Sequence, residues 1–316
     1  MKQGVCIGLL VAMNLFWAGS YAVVKIGLDS MDPLALVFWR VLIAFVVMAG
    51  WIAWRRPSLR IDLRDGLRIA GAGLLLAVSN ILWVTGIDYS HATDASLLYV
   101  FEPIWGIILA SIFLREKLRP MAIAGLAIVI VGLLRLSDFD FAKFGWSSGK
   151  IGFGNALVVI GLLAESFFSI ILKPIAQRRS AIVVTAGVLL VTATVLAVPM
   201  AIRGSFEVPT NAQALLPIAY LSLICTVAGY TLWVAIMRHM PVGVMLFTIF
   251  IQPIAGPFIA AAALGESIDS RVLSGGALLI AGMAVAVGGH FLRSRRERRR
   301  LRADEMVAAV APYANA

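Results

Sequence analysis

Long apolar runs alternate with short polar interruptions along this chain, at intervals that suit one bilayer crossing per run. An α-helix needs roughly 20 apolar residues to span the hydrocarbon of a membrane. On that spacing the pattern predicts ten spans, at about 5–27, 33–54, 66–87, 92–114, 118–136, 152–174, 181–202, 214–237, 242–264 and 271–292. The runs are continuously apolar rather than alternating. An all-α membrane protein is therefore expected and a β-barrel is disfavoured. Many further runs follow the first, which lacks a small-residue cleavage site, so it reads as a transmembrane helix rather than a secretory signal.

Composition agrees: 61% of the 316 residues are apolar and only 14% charged, with a mean hydropathy of +0.94. Cys6 and Cys225 both lie inside apolar runs, so neither a disulfide framework nor a thiolate metal site is implied. His91, His239 and His290 sit near span ends, far apart in sequence, and suggest no metal cluster. No cofactor is implied.

Charge adds an orientation. Of the 27 lysines and arginines, twenty fall in loops on the side of the amino terminus, six on the other side, and Arg40 lies within a span. Because positive loops stay cytoplasmic, both termini are expected inside, in a multi-pass inner-membrane protein. The net charge of +10 is then mostly a topology signal. The basic run SRRERRRLR (294–302) reads as an anchor touching anionic lipid rather than a nucleic-acid site, with residues 303–316 as a disordered end.

The chain is also duplicated. Trp83 and Trp233, Pro103 and Pro253, Glu116 and Glu266, Gly125 and Gly275, and Gly132 and Gly282 are each 150 residues apart. That offset aligns FEPIWGIILASIFLREKL with IQPIAGPFIAAAALGESI, and the match fades in the first helix of each unit, where an insertion or deletion is expected. The organisation read from it is a first five-helix repeat at 1–137, a linker at 138–151, a second repeat at 152–292 and a tail at 293–316. Five is odd, so the second copy enters the membrane inverted, a plan that recurs in secondary transporters.

The asparagine and tryptophan of NLFWAGSYAVVK (14–25), the arginine of FWRVLIAF (38–45), and a proline followed thirteen residues later by glutamate in both halves resemble the EamA-type drug/metabolite transporters. The resemblance runs from residue 4 to 292. It implies a ten-helix inner-membrane carrier, often an exporter of amino acids or other small metabolites, without an ATP site. No phosphate-binding loop motif occurs in the sequence. The second half departs from the first: Gln252 replaces the glutamate before proline, and the first-helix signature becomes AESFFSIILK (164–173).

Ionisable groups inside spans are costly, at least ~2.5 kcal/mol each, so they mark candidate sites. Arg40 is expected roughly 10 Å and Glu102 roughly 15 Å below the outer surface at 1.5 Å rise per residue. That depth lets them pair directly or through a substrate. Glu102 reads as a proton carrier or substrate ligand, the alternative being a permanent pair with Arg40 that ties two helices together. Arg40 reads either as a contact for a substrate carboxylate or as a helix tether. Pro103 and Pro253 leave the carbonyls of Tyr99 and Ile249 without a helical donor, which gives either gating hinges or static kinks.

Asn14, Ala18, Tyr21 and Lys25 form one helical stripe with Trp17 beside it, expected to face the interior. Ser79, Asn80 and Trp83 on the third helix, and Thr226, Tyr230 and Trp233 on the eighth, would line the same space from repeat-related positions. Packing is the competing reading for the tryptophans. Glu165 and Ser169 share a helix face with Lys173 one turn onward; an intrahelical pairing near the cytoplasmic surface is expected for Glu165, the alternative being a second proton site. Glu116 and Glu266 are expected at the positive ends of their own helices.

These polar residues are scattered over several helices and include no nucleophile–base pair, so an intramembrane enzyme is disfavoured. A channel filter is disfavoured by the asymmetry of Glu102 and Gln252. One cation and one anion at similar depth suit a zwitterion such as an amino acid, whereas a sugar phosphate would call for more cations. The expected partners are a small-molecule substrate, protons and lipid, with the chain a monomer or weak homodimer.

Overall fold

The structure, a computed structural model, describes residues 3–89, 98, 101–116, 120–136, 149–204, 206, 208–264 and 270–289. Tyr99, His91, His290, Glu266, most of the linker and the basic tail lie outside them, as do the side chains of Tyr21 and Lys25.

Every regular element among the described residues is helical. In the first half these are α1 (Gln3–Leu28), α2 (Pro33–Arg55), α3 (Leu63–Tyr89), α4 (Phe101–Phe113) and α5 (Pro120–Leu136). In the second half come α6 (Gly149–Ala176) and α7 (Ala181–Arg203), then α8 (Ala212–Tyr220), which continues through a π-helix (Leu221–Ala228) into α9 (Gly229–Ile236). After these, α10 (Val242–Phe247) passes through a 3₁₀ turn (Thr248–Phe250) into α11 (Ile251–Leu264), and α12 (Ser270–Gly289) ends the fold. Among the described residues, seven helices are long and apolar enough to cross a membrane, and Phe101–Phe113, Pro120–Arg135 and Val242–Gly256 are shorter apolar helices.

Local chemistry explains several boundaries. Asp32 caps α2, its carboxylate accepting from the amides of Leu34 at 2.9 Å and Ala35 at 3.3 Å, with Pro33 as the first helical residue. The span expected at 242–264 is not one uniform α-helix. Pro253 has no N–H to offer the Ile249 carbonyl, and the backbone tightens into the 3₁₀ turn over the residues before it. Pro103 lies near the start of α4 as described, and Tyr99, whose carbonyl it would leave without a helical donor, lies outside the described residues.

Under the 150-residue offset, α1 corresponds to α6, α2 to α7, α3 to 212–236, α4 to 242–264 and α5 to α12. The helix contacts obey that correspondence. α3 packs along α6 as 212–236 packs along α1; α4 meets α6 as α11 meets α1; α2 meets α7, and α4 meets α10. Glycines make the closest crossing. A Cβ on Gly125 would lie 2.5 Å from the Gly282 carbonyl, one on Gly282 2.6 Å from the Gly125 carbonyl, and one on Gly132 3.0 Å from the Gly275 carbonyl. Each glycine of α5 thus faces the repeat image of the other, with the two helices running antiparallel.

One end of the bundle, where the α2–α3 and α6–α7 turns meet, is tied by charge. Asp65, 0% exposed, accepts from Arg178 Nη2 and Arg179 Nε, both at 2.8 Å, and Arg179 also pairs with Asp62. Nearby, Lys173 donates to the carbonyls of Met237 and Met240, and Arg238 to those of Ala176 and Arg179. Glu116 reaches the other half: its carboxylate accepts from the amides of Val242 at 2.9 Å and Gly243 at 3.1 Å, capping α10, while residues 117–119, at the start of its own helix, lie outside the described residues.

Candidate functional site

A cavity of about 120 Å³ lies between the two halves. That is smaller than the roughly 300–1,000 Å³ typical for drug-sized ligands, so this conformation encloses room for a small molecule or water. Trp17, Ser20 and Val24 border it from α1, Arg40 from α2, and Ser79, Asn80 and Trp83 from α3. Glu102 reaches it from α4, and Glu165, Phe168 and Ser169 from α6. The second half adds Cys225, Thr226, Tyr230 and Trp233 from 212–236, together with Ile249 and Gln252.

Helix packing delivers these groups. Gly161 on α6 sits where a Cβ would come within 3.2 Å of the Ser79 carbonyl, so α3 and α6 approach closely enough for Ser79 Oγ to donate to Glu165 Oε2 at 3.3 Å. Gly229 leaves space for the Trp17 indole, whose Nε1 donates to the Cys225 carbonyl at 2.9 Å. Trp17 then lies 6.0 Å from the Tyr230 ring and 5.9 Å from the Trp233 ring, with Phe168 5.7 Å from Tyr230. Trp233 is held by its own Nε1 bond to Ser169 Oγ at 3.1 Å. Offset aromatic contacts of this kind make a rigid apolar wall.

The polar wall has two unlike ends. Asn14, 0% exposed, lies behind the cavity surface; its Nδ2 donates to the Leu10 carbonyl at 2.8 Å and Thr248 Oγ1 at 3.0 Å, and its Oδ1 accepts from Gln252 Nε2 at 3.0 Å. Glu102, 8% exposed, contributes its backbone carbonyl to Ser166 Oγ at 2.9 Å, but its carboxylate has no hydrogen-bond partner among the described residues. Its electrostatic neighbour is Glu165, on which Arg40 also acts. Arg40 Nη2 donates to Asn80 Oδ1 at 3.1 Å, Asn80 being anchored by its bond to the Leu76 carbonyl at 2.6 Å, and the buried Arg40 Nε has no partner among the described residues.

Ten of the residues singled out from the sequence as lining therefore border one space: Trp17, Arg40, Ser79, Asn80, Trp83, Glu102, Thr226, Tyr230, Trp233 and Gln252. Asn14 backs Gln252, Pro103 and Pro253 lie one residue beyond the cavity-lining positions 102 and 252, and Tyr21 and Tyr99 cannot be placed among the described side chains. Two expectations are corrected. Arg40 pairs with Asn80 and makes no ion pair with Glu102 among the described residues. Glu165 does not pair with Lys173; it turns into the cavity, because Lys173 is drawn to the open carbonyls at the end of α9. One signal for Glu165 was present: it is a carboxylate inside an apolar span, one residue beyond Ala164, the 150-residue image of Asn14.

An all-helical membrane bundle with a polar cavity between two duplicated halves has the architecture of a secondary transporter. Residues 4–137 and 152–288 each match the EamA-like transporter family, and the chain belongs to that family. It is 25% identical over 286 residues to an uncharacterized transporter of Archaeoglobus fulgidus, covering 87% of this chain and 94% of that protein. It is 26% identical over 305 residues to a probable terminal-alkyne amino-acid exporter of Streptantibioticus cattleyicolor, covering 94% of this chain and 98% of that protein. A solved crystal structure, 18% identical, superposes with a TM-score of 0.75 over 92% of this chain and 97% of its own, a likeness of fold.

Proposed function

We propose that this chain is a secondary carrier that moves a small zwitterionic metabolite, an amino acid or close relative, out of the cell by alternating access coupled to protons. The reading takes the apolar helices as ten spans in two inverted five-helix repeats, with both termini on the cytoplasmic side of the inner membrane. Supporting the inversion are the antiparallel glycine crossing of α5 and α12 and the repeat-related helix contacts.

The observation that carries the proposal is the cavity itself. Arg40 offers a guanidinium to a substrate carboxylate from α2, Glu102 offers a carboxylate to an ammonium or a proton from α4, and Trp17, Tyr230 and Trp233 form an apolar wall for a side chain. The amino-acid exporter among the relatives favours the same class of cargo. Pro103 and Pro253, next to the lining residues 102 and 252, are the hinges about which each half rearranges.

The test is a substrate panel in proteoliposomes with and without an imposed pH gradient. Saturable counterflow of one or more amino acids, accelerated by the gradient, is the expected result. Transport of a phosphorylated metabolite with no amino acid carried would overturn the reading.

A further inference from the structure

A second recess lies away from the cavity, on the exposed flank of the bundle. α3 and α4 each pack along α6, and between them they leave a groove of about 450 Å³ over that helix. Arg64, Leu67, Arg68 and Gly71 border it from α3, Phe113 from α4 and Pro174 from α6. The α3 residues recur at spacings of three and four, one face of a helix, and that face continues to the exposed Leu74. Leu67 and Phe113 are exposed as well. A Cβ on Gly71 would meet nothing within 4 Å, so the groove is open along its middle.

The charge of this groove sits at one end. Arg64 and Arg68 stand in the first two turns of α3, and neither makes a hydrogen bond or ion pair among the described residues. The carboxylates nearest to them in sequence are already engaged, Asp62 with Arg179 and Asp65 with Arg178 and Arg179. From Arg64 to Leu74 the face runs for about 15 Å at 1.5 Å rise per residue, half of a roughly 30 Å hydrocarbon core and so the depth of one leaflet. The repeat offset sets Ala214 and Ile218 where Arg64 and Arg68 stand, and both are buried, Ile218 in a cluster with Leu36 and Leu221. In the second half the corresponding positions are closed by packing; in the first they are open and basic.

We propose that this groove holds one anionic glycerophospholipid of the surrounding bilayer, its phosphate on Arg64 and Arg68 and an acyl chain along Leu67, Gly71 and Phe113. Guanidinium groups bind phosphate oxygens through charge-assisted hydrogen bonds, and two arginines one helical turn apart offer them to a single headgroup. A zwitterionic headgroup would bring its own cation toward the two arginines, so a net negative one is selected. A free phosphate would leave the apolar wall uncovered, and an acidic peptide would carry unpaired backbone amides and carbonyls into hydrocarbon. A lipid satisfies both ends of the groove. The site is separate from the basic run at 294–302, and it is the same whatever the carrier moves.

The experiment is native mass spectrometry of the purified full-length protein, released from micelles that carry phosphatidylglycerol and phosphatidylcholine of matched acyl chains in equal amounts. One phosphatidylglycerol per chain is expected to survive activation that strips phosphatidylcholine. The double substitution Arg64→Gln/Arg68→Gln is expected to lower the ratio of bound phosphatidylglycerol to phosphatidylcholine about 10- to 30-fold. Gly71→Phe keeps both arginines but fills the groove, and is expected to lose the lipid as well. Both variants are expected to unfold at the wild-type temperature in phosphatidylcholine alone. Glutamine at Arg299, Arg300 and Arg302 in the tail is expected to leave the ratio unchanged, and millimolar inorganic phosphate to displace nothing. Equal retention of the two lipids by the wild-type protein, a ratio indifferent to Arg64→Gln/Arg68→Gln, its loss in the tail variant, displacement by inorganic phosphate, or a lipid-free dimer overturns the proposal.

Discussion

The two halves of this protein are most alike where they pack and least alike where they meet the cavity. Gly125 and Gly132 in α5 have images at Gly275 and Gly282 in α12, and the four glycines interlock reciprocally. At the cavity, the same offset turns Glu102 into Gln252, and their neighbours differ too: Asn14 accepts from Gln252, whereas Glu165 is the electrostatic neighbour of Glu102. Duplication conserves backbone approach because helix crossing leaves no room for a Cβ, whereas polar side chains facing a cavity are free to diverge. The amide pair is satisfied within the protein. The Glu102 carboxylate has no hydrogen-bond partner among the described residues, and that is where the two ends of the polar wall differ.

The largest effect expected from breaking the comparison is at Glu102. Glu102→Gln makes the two ends alike, and stimulation of transport by a pH gradient is expected to vanish while the purified protein keeps its size-exclusion profile. Replacing Arg40 with glutamine removes a charge-assisted contact worth about 1.5–3 kcal/mol. The apparent KM for a zwitterion is expected to rise about 10- to 100-fold, with a much smaller change for the corresponding amine.

Away from the cavity, Asp65→Ala strands Arg178 and Arg179 at the tied end of the bundle. A loss of about 3 kcal/mol is expected, at the low end for a broken buried pair because both arginines are partly exposed. The repeat offset places Leu215 opposite Asp65, so this tie has no charged image in the second half. Alanine at Gly125 or at Gly282 should each destabilise by roughly 1–3 kcal/mol through backbone clash. Near-equal shifts in thermal unfolding would show that the scaffold is symmetric where the chemistry is not.

Much of this architecture was legible in the sequence because apolar run length and a fixed 150-residue offset are one-dimensional signals. The proline repeated at 103 and 253, and the loss of the glutamate at 252, needed no coordinates to be seen. The Lys173 pairing preferred for Glu165 failed for a physical reason: helical spacing offers Lys173 as a partner, while the close approach of Ser79 depends on Gly161 letting α3 and α6 meet. Glu116 likewise has a partner that spacing could not show, the Val242 amide 126 residues away in the other half. The π-helix at Leu221–Ala228, where Thr226 Oγ1 bonds the Leu221 carbonyl at 2.8 Å, has no signature in apolar periodicity.

The central claim, that proton coupling resides in the carboxylate pair and not in its amide image, is tested most directly by one side-by-side measurement. Amino-acid counterflow is recorded in proteoliposomes carrying the wild-type protein, Glu102→Gln or Gln252→Met, at equal pH and across an imposed pH gradient. The account expects the gradient to accelerate the wild-type protein and Gln252→Met, and to leave Glu102→Gln unaffected. Acceleration that survives in Glu102→Gln, or that disappears only in Gln252→Met, would contradict it.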